Sequence, residues 1–145
     1  MHIRPLTERY AVSPQISAED IAAAQAAGYT TILCNRPDAE VSPDLQAAEV
    51  RTAAEAVGMH FVENPIAHGG MDADMVALQA KTIAEAPGPV LAYCASGTRS
   101  TVIWLFGAAA ETDPDTLLAA AAKQGYALDT LRPQLEAIHA AHVTP

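Results

Sequence analysis

The chain has 145 residues, half of them hydrophobic and 17% charged, with no low-complexity run; this excludes a disordered polymer and predicts one globular domain over residues 1–145. A formal net charge of −9 argues against nonspecific nucleic-acid binding and an anionic membrane surface, and no apolar run approaches membrane-spanning length. Two cysteines are too few for a disulfide framework and MHIRPLTERY lacks a signal peptide's apolar core, so a cytoplasmic protein is expected.

In chain order, Tyr10 to Ser13 is a short strand candidate followed by a turn at Ser13-Pro14. Ser17 and Asp20 have the spacing of a capping box, and SAEDIAAAQAAG reads as a helix stopped by Gly28. Tyr29 to Cys34 (YTTILC) is rich in β-formers and leaves through the loop Asn35-Arg36-Pro37-Asp38. Ser42 and Pro43 look like the N-cap and first position of a helix running to about Val57 and closed by Gly58. Met59 to Asn64 is a further strand, and the loop after it, Pro65 to Gly70, holds the chain's one Gly-Gly pair. A helix from about Asp72 to Ala86 precedes the strand Val90 to Tyr93, and an apolar helix begins near Thr101. Asp113-Pro114 opens another helix ending at Gly125, and residues 127–143 form a last helical region that Pro133 should break or kink.

Strands alternating with helices imply parallel pairing through crossovers. YTTILC and PVLAY are apolar on both faces, as covered strands should be. The fold class predicted is a three-layer α/β sandwich: a mainly parallel central sheet of about four strands with helices on both faces. Its site would lie at the carboxyl ends of the strands, where Asn35, Pro65 and Cys94 emerge.

The stretch that carries chemistry is PVLAYCASGTRS, residues 89–100. A strand, a tight loop of small residues (Ala95, Ser96, Gly97, Thr98) and a helix start make an anion cradle of backbone N–H groups. A thiolate at Cys94 would be stabilised by the same field. Arg99 in the first helical turn faces the wrong end of the dipole, which is costly unless an anion sits between them. The plainer reading, a buried cysteine closing a core strand, leaves Arg99 unexplained.

CASGTRS resembles the Cys-x-x-Gly-x-Arg-Ser loop of rhodanese-type sulfurtransferases, and is one residue shorter than the Cys-x5-Arg loop of tyrosine and dual-specificity phosphatases. Together with AVSPQIS (11–17), TILCNRPDAE (31–40) and GYALDTLRP (125–133), it resembles the phosphatase-like domain of beta-lactamase-hydrolase-like proteins, also described as a sulfurtransferase family. The resemblance implies a dual-specificity-phosphatase-like fold. It also implies Cys94 as nucleophile, cradle N–H groups from Ala95, Ser96, Gly97, Thr98 and Arg99 around the substrate, and Arg99 as the oxyanion's bidentate partner. Ser100 would hydrogen-bond the thiolate. Ala95 departs from many relatives, which carry a basic residue there.

Two reactions follow, both through Cys94 and without a cofactor. Sulfur transfer from thiosulfate or a persulfide to a thiol suits the short cradle and needs no general acid, and it is the favoured reading. Phosphate-ester hydrolysis is the alternative. It needs an acid for the leaving oxygen, with His68, Asp72 and Asp74 as candidates, although Asp72 reads better as a helix N-cap. An oxyanion- or phospho-binding module without turnover is a third possibility, against which the intact nucleophile and arginine speak. Arg36 and Asp38 either line the mouth with His68 or pair with each other to fix their loop. Cys34 reads as a buried small hydrophobe rather than a second sulfur-carrying thiol. His139 and His142 have no ligand-type partners at suitable spacing, so no metal site is expected.

Overall fold

The computed structural model describes residues 1–143. Its sheet has five strands: β1 (Arg4–Pro5), β2 (Tyr10–Ser13), β3 (Thr31–Cys34), β4 (His60–Glu63) and β5 (Val90–Tyr93). They lie in the order β1-β2-β5-β3-β4, and every pairing but the antiparallel β1–β2 edge is parallel. The three-layer sandwich is therefore as expected, with one strand more. β1 is two residues long, too short to carry a period-2 signal, and is closed onto β2 by Leu6 and Thr7 N–H bonds to the Tyr10 carbonyl.

Strand alternation sorts the core into two layers. Val12, Leu33, Val90 and Ala92 point to the face covered by α4 (Thr98–Ala108), α5 (Pro114–Lys123) and α6 (Arg132–Val143), against Trp104, Leu105, Leu117 and Leu135. Ala11, Ile32, Cys34, Leu91 and Tyr93 point the other way, against Ile21 and Ala24 of α1 (Ile21–Ala26) and Val50 and Ala54 of α2 (Ala47–Ala56). β2, β3 and β5 are buried throughout, whereas the edge strand β4 is not. α3 (Ala73–Glu85) packs beside α4.

Three helix starts differ from expectation. The helix expected from Pro43 is broken: residues 43–45 form a 3₁₀ turn, Gln46 is extended (φ −65°, ψ 156°), and α2 begins at Ala47. Its cap comes from upstream, where Asp38 Oδ1 accepts the Ala47 N–H at 2.8 Å, while Ser42 Oγ bonds Asp44. α4 begins at Thr98, not Thr101, because Gly97 turns the chain into it at φ +94°. Pro133 neither breaks nor kinks a helix; it is the second residue of α6, where its missing N–H has no helical partner to lose. Asp72 and Asp113 cap α3 and α5 as read.

Candidate active site

β5 is the central strand, and Cys94 is the first residue beyond its carboxyl end. The thiol is buried, and its Sγ accepts the Gly97 N–H at 3.1 Å. One cradle donor is thus directed at sulfur. Gly97 is required twice over: its φ is positive, and a Cβ there would lie 2.1 Å from Tyr126 Oη. Ala95, Ser96 and Thr98 are exposed at the mouth, with the Ser96 and Thr98 hydroxyl oxygens 3.0 Å apart and Thr98 N–H donating to Ser96 Oγ at 3.3 Å.

Arg99 finds its counter-charge within the chain. Nη1 and Nη2 donate to Glu40 Oε2 and Oε1 at 2.9 and 2.7 Å, and Nη1 also donates to the Ile66 carbonyl at 2.6 Å. The Arg99 fork holds the Glu40 carboxyl down at about 2, against an ordinary value of 4.5, and Glu40 in turn raises Arg99. Of five guanidinium donors, three are used in these bonds. The other two, Nε–H and the second Nη2–H, form one edge of the fork, a geometry that matches a bidentate oxyanion, and Cys94 lies within side-chain hydrogen-bond reach of the guanidinium.

Arg36 backs this pair. Its Nε donates to Glu40 Oε1 at 3.2 Å, Nη2 to the Glu40 carbonyl at 3.3 Å and Nη1 to Gln15 Oε1 at 3.3 Å. The loop is fixed by an ion pair, as one reading had it, but the partner is Glu40. Asp38 is engaged as the α2 cap, not at the mouth. His68 is exposed on the loop between β4 and α3, near enough to Glu40 to stabilise its charge.

Ser100 is buried, and its Oγ donates to Asn35 Oδ1 at 2.9 Å; the expected bond to the Cys94 sulfur is replaced by this one. Behind it lies a fully connected polar cluster. Gln79 Nε2 donates to Asn35 Oδ1 (3.0 Å) and Tyr10 Oη (2.9 Å), and Gln79 Oε1 accepts from Asn35 and Asn64 (both 2.9 Å). Tyr10 Oη donates to the Ser100 carbonyl at 2.7 Å. Burial pushes the Tyr10 phenol far up, so it stays a neutral donor. This cluster ties β2, β3, β4 and α3 to the first turn of α4, and losing any one partner would strand a buried polar group at about 1–3 kcal/mol.

Cys34 sits on the opposite face of the sheet, with its Sγ 3.3 Å from the Arg36 carbonyl. Burial raises its thiol pKa, and both cysteines are free. Among the described residues no group of His, Cys, Asp or Glu could hold a metal, and no helix is long and apolar enough to cross a membrane.

Sequence reasoning passed over Glu40, Gln79 and Tyr126. Glu40 is the last residue of the quoted TILCNRPDAE and carries a charge of the right sign. Gln79 was signalled by its place on the inward stripe of α3, four residues before Ile83. Tyr126 joins the loop only through tertiary contact.

Residues 2–111 match the family described as "Beta-lactamase hydrolase-like protein, phosphatase-like domain". The chain belongs to this family. The beta-lactamase hydrolase-like protein of Agrobacterium fabrum is 33% identical over 105 residues, 72% of this chain but 24% of that protein; the chain thus spans about a quarter of that relative's length. A candidate phosphatase from Neisseria meningitidis Z2491, known from its crystal structure, is 33% identical and superposes with a TM-score of 0.82 over 95% of this chain and 99% of its own. TpbA of P. aeruginosa, crystallised with pTyr, shares the fold at a TM-score of 0.66 and 14% identity, over 99% of this chain and 91% of that one. The dual-specificity-phosphatase-like fold is the one predicted, while the preference for sulfur transfer gains no support from these relatives.

Proposed function

We propose that the protein hydrolyses phosphate esters through a phosphocysteine at Cys94. The observation that carries this reading is the Arg99 guanidinium, aimed by Glu40 and Ile66 and within hydrogen-bond reach of Cys94, on a fold whose neighbours are phosphatases or candidate phosphatases, one of them crystallised with pTyr. The Cys94 thiolate attacks phosphorus and the P–O ester bond breaks. The leaving oxygen takes a proton from His68, which acts electrostatically on Glu40 at the mouth, since Asp72 is committed to capping α3 through the Met75 N–H. Water then gives a proton back to His68 and attacks the phosphocysteine, breaking the S–P bond, releasing inorganic phosphate and restoring the thiolate. Arg99 and the cradle N–H groups hold the phosphoryl oxygens throughout. A reducing cytoplasm suits two free cysteines.

One observation favours a second reading. Only four residues separate Cys94 from Arg99, and Gly97 N–H is already turned to sulfur, as would stabilise a persulfide anion. There the thiolate would take the outer sulfur of thiosulfate, release sulfite and pass the sulfur to an acceptor thiolate, forming its persulfide. Steady-state turnover of an aryl phosphate, and separately of thiosulfate with a thiol, divides the two. The first is expected to proceed and to fall by about 10³-fold or more in Cys94→Ser. Thiosulfate turnover alone would transfer the assignment to sulfur chemistry, and activity surviving in Cys94→Ser would overturn both.

A further inference from the structure

We propose that Tyr126 and Arg4 are positioning residues that act on Cys94 through a single peptide plane, an inference that rests on Cys94 being the nucleophile. The Ser96 carbonyl and the Gly97 N–H belong to one planar trans unit, so they point in opposite directions. The Ser96 carbonyl accepts the Tyr126 hydroxyl at 2.9 Å, and the Gly97 N–H donates to Cys94 Sγ at 3.1 Å. Holding the oxygen outward therefore aims the N–H inward at sulfur. Tyr126 Oη in turn accepts Arg4 Nη1 at 2.7 Å.

The chain of donors runs one way: Arg4 guanidinium, Tyr126 hydroxyl, the Ser96–Gly97 peptide, Cys94 sulfur. Each bond polarises the next, with a cation at the outer end and the nascent thiolate at the inner one. Tyr126 is well fixed for this task. It is 6% exposed, packs into the core on the α4–α6 side, and follows Gly125, whose φ of +94° turns the chain out of α5. It lies between α5 and α6, so this turn would complete a site whose nucleophile lies upstream.

Arg99 on α4 and the Tyr10 phenol on β2 also interact electrostatically with the sulfur, and Glu40 and His68 lie beyond Arg99. None is altered by changing Arg4 or Tyr126. The test is the rate of Cys94 alkylation by iodoacetamide as a function of pH, read by peptide mass spectrometry so that Cys34 is counted apart. Tyr126→Phe is expected to slow alkylation at neutral pH by about three- to tenfold, to move the midpoint of the pH profile upward, and to converge on the wild-type rate at high pH. Arg4→Met should shift the midpoint the same way by less, and Arg4→Lys should restore part of it; the Arg4 pair also decides the matter if Tyr126→Phe does not fold. Unchanged profiles, or a slowing by one factor at every pH, would overturn the proposal. No substrate is involved, so a wild-type Cys94 as sluggish as a free thiol would instead strike at the nucleophile reading itself.

Discussion

Two loops meet at the mouth and are built in opposite ways. The Cys94–Gly97 loop is held at every residue: Cys94 by the Gly97 N–H, Ala95 by Gln15, Ser96 by Tyr126, and Gly97 by helix α4 through the Thr101 N–H. The loop from Pro65 to Asp72 is pinned near its ends, by Ile66 to Asn35 and Arg99 and by Asp72 as the α3 cap, with residues 67–70 exposed between. The first arrangement suits a floor whose dipoles must not reorganise during reaction. The second suits a rim that delivers a proton only when substrate is seated.

The largest way to test this division is through the rim. His68→Ala should lower turnover of alkyl phosphates by about 10²-fold or more, yet leave an aryl phosphate with a very good leaving group almost untouched. Equal losses on both substrates would show that His68 serves the floor instead.

Glu40→Ala attacks the floor. Freed of its carboxylate partner, the guanidinium should lose its aim and cost about 10²-fold in kcat for every ester, whatever the leaving group. A rise in activity would mean that Glu40 competes with substrate for Arg99. A smaller effect belongs to the same pair. The Glu40 carboxyl is depressed from 4.5 to about 2, so its contribution to stability is present above about pH 4.5 and is lost as pH falls to about 2. Thermal melts across that window should fall more steeply for the wild type than for Glu40→Gln; parallel curves would deny the bridge a role in stability.

The floor was legible in the sequence to the extent that it is local. Cys94, the small-residue turn and the arginine lie within six consecutive residues, and the strand ends around them follow from hydrophobic runs that alternate with helices. Arg99 even announced that it needed an anion, but not which one. Glu40 lies 59 positions away and Tyr126 lies 30 from Ser96, and no local periodicity encodes such pairs. The Ser100 bond was hidden for the same reason: its buried hydroxyl needs a partner and donates to Asn35, 65 positions upstream. The α2 start moved because Asp38, nine residues earlier, supplied a better cap than Ser42.

The central claim is a covalent phosphoryl group on Cys94, and trapping it is the most direct measurement. Rapid acid quench during turnover of an aryl phosphate, followed by peptide mass spectrometry, should show one added phosphoryl group on the Cys94 peptide, accumulating before steady state and absent in Cys94→Ser. Turnover of the phosphate with Cys94 unmodified at every time, or with the phosphoryl group on another residue, would contradict the account.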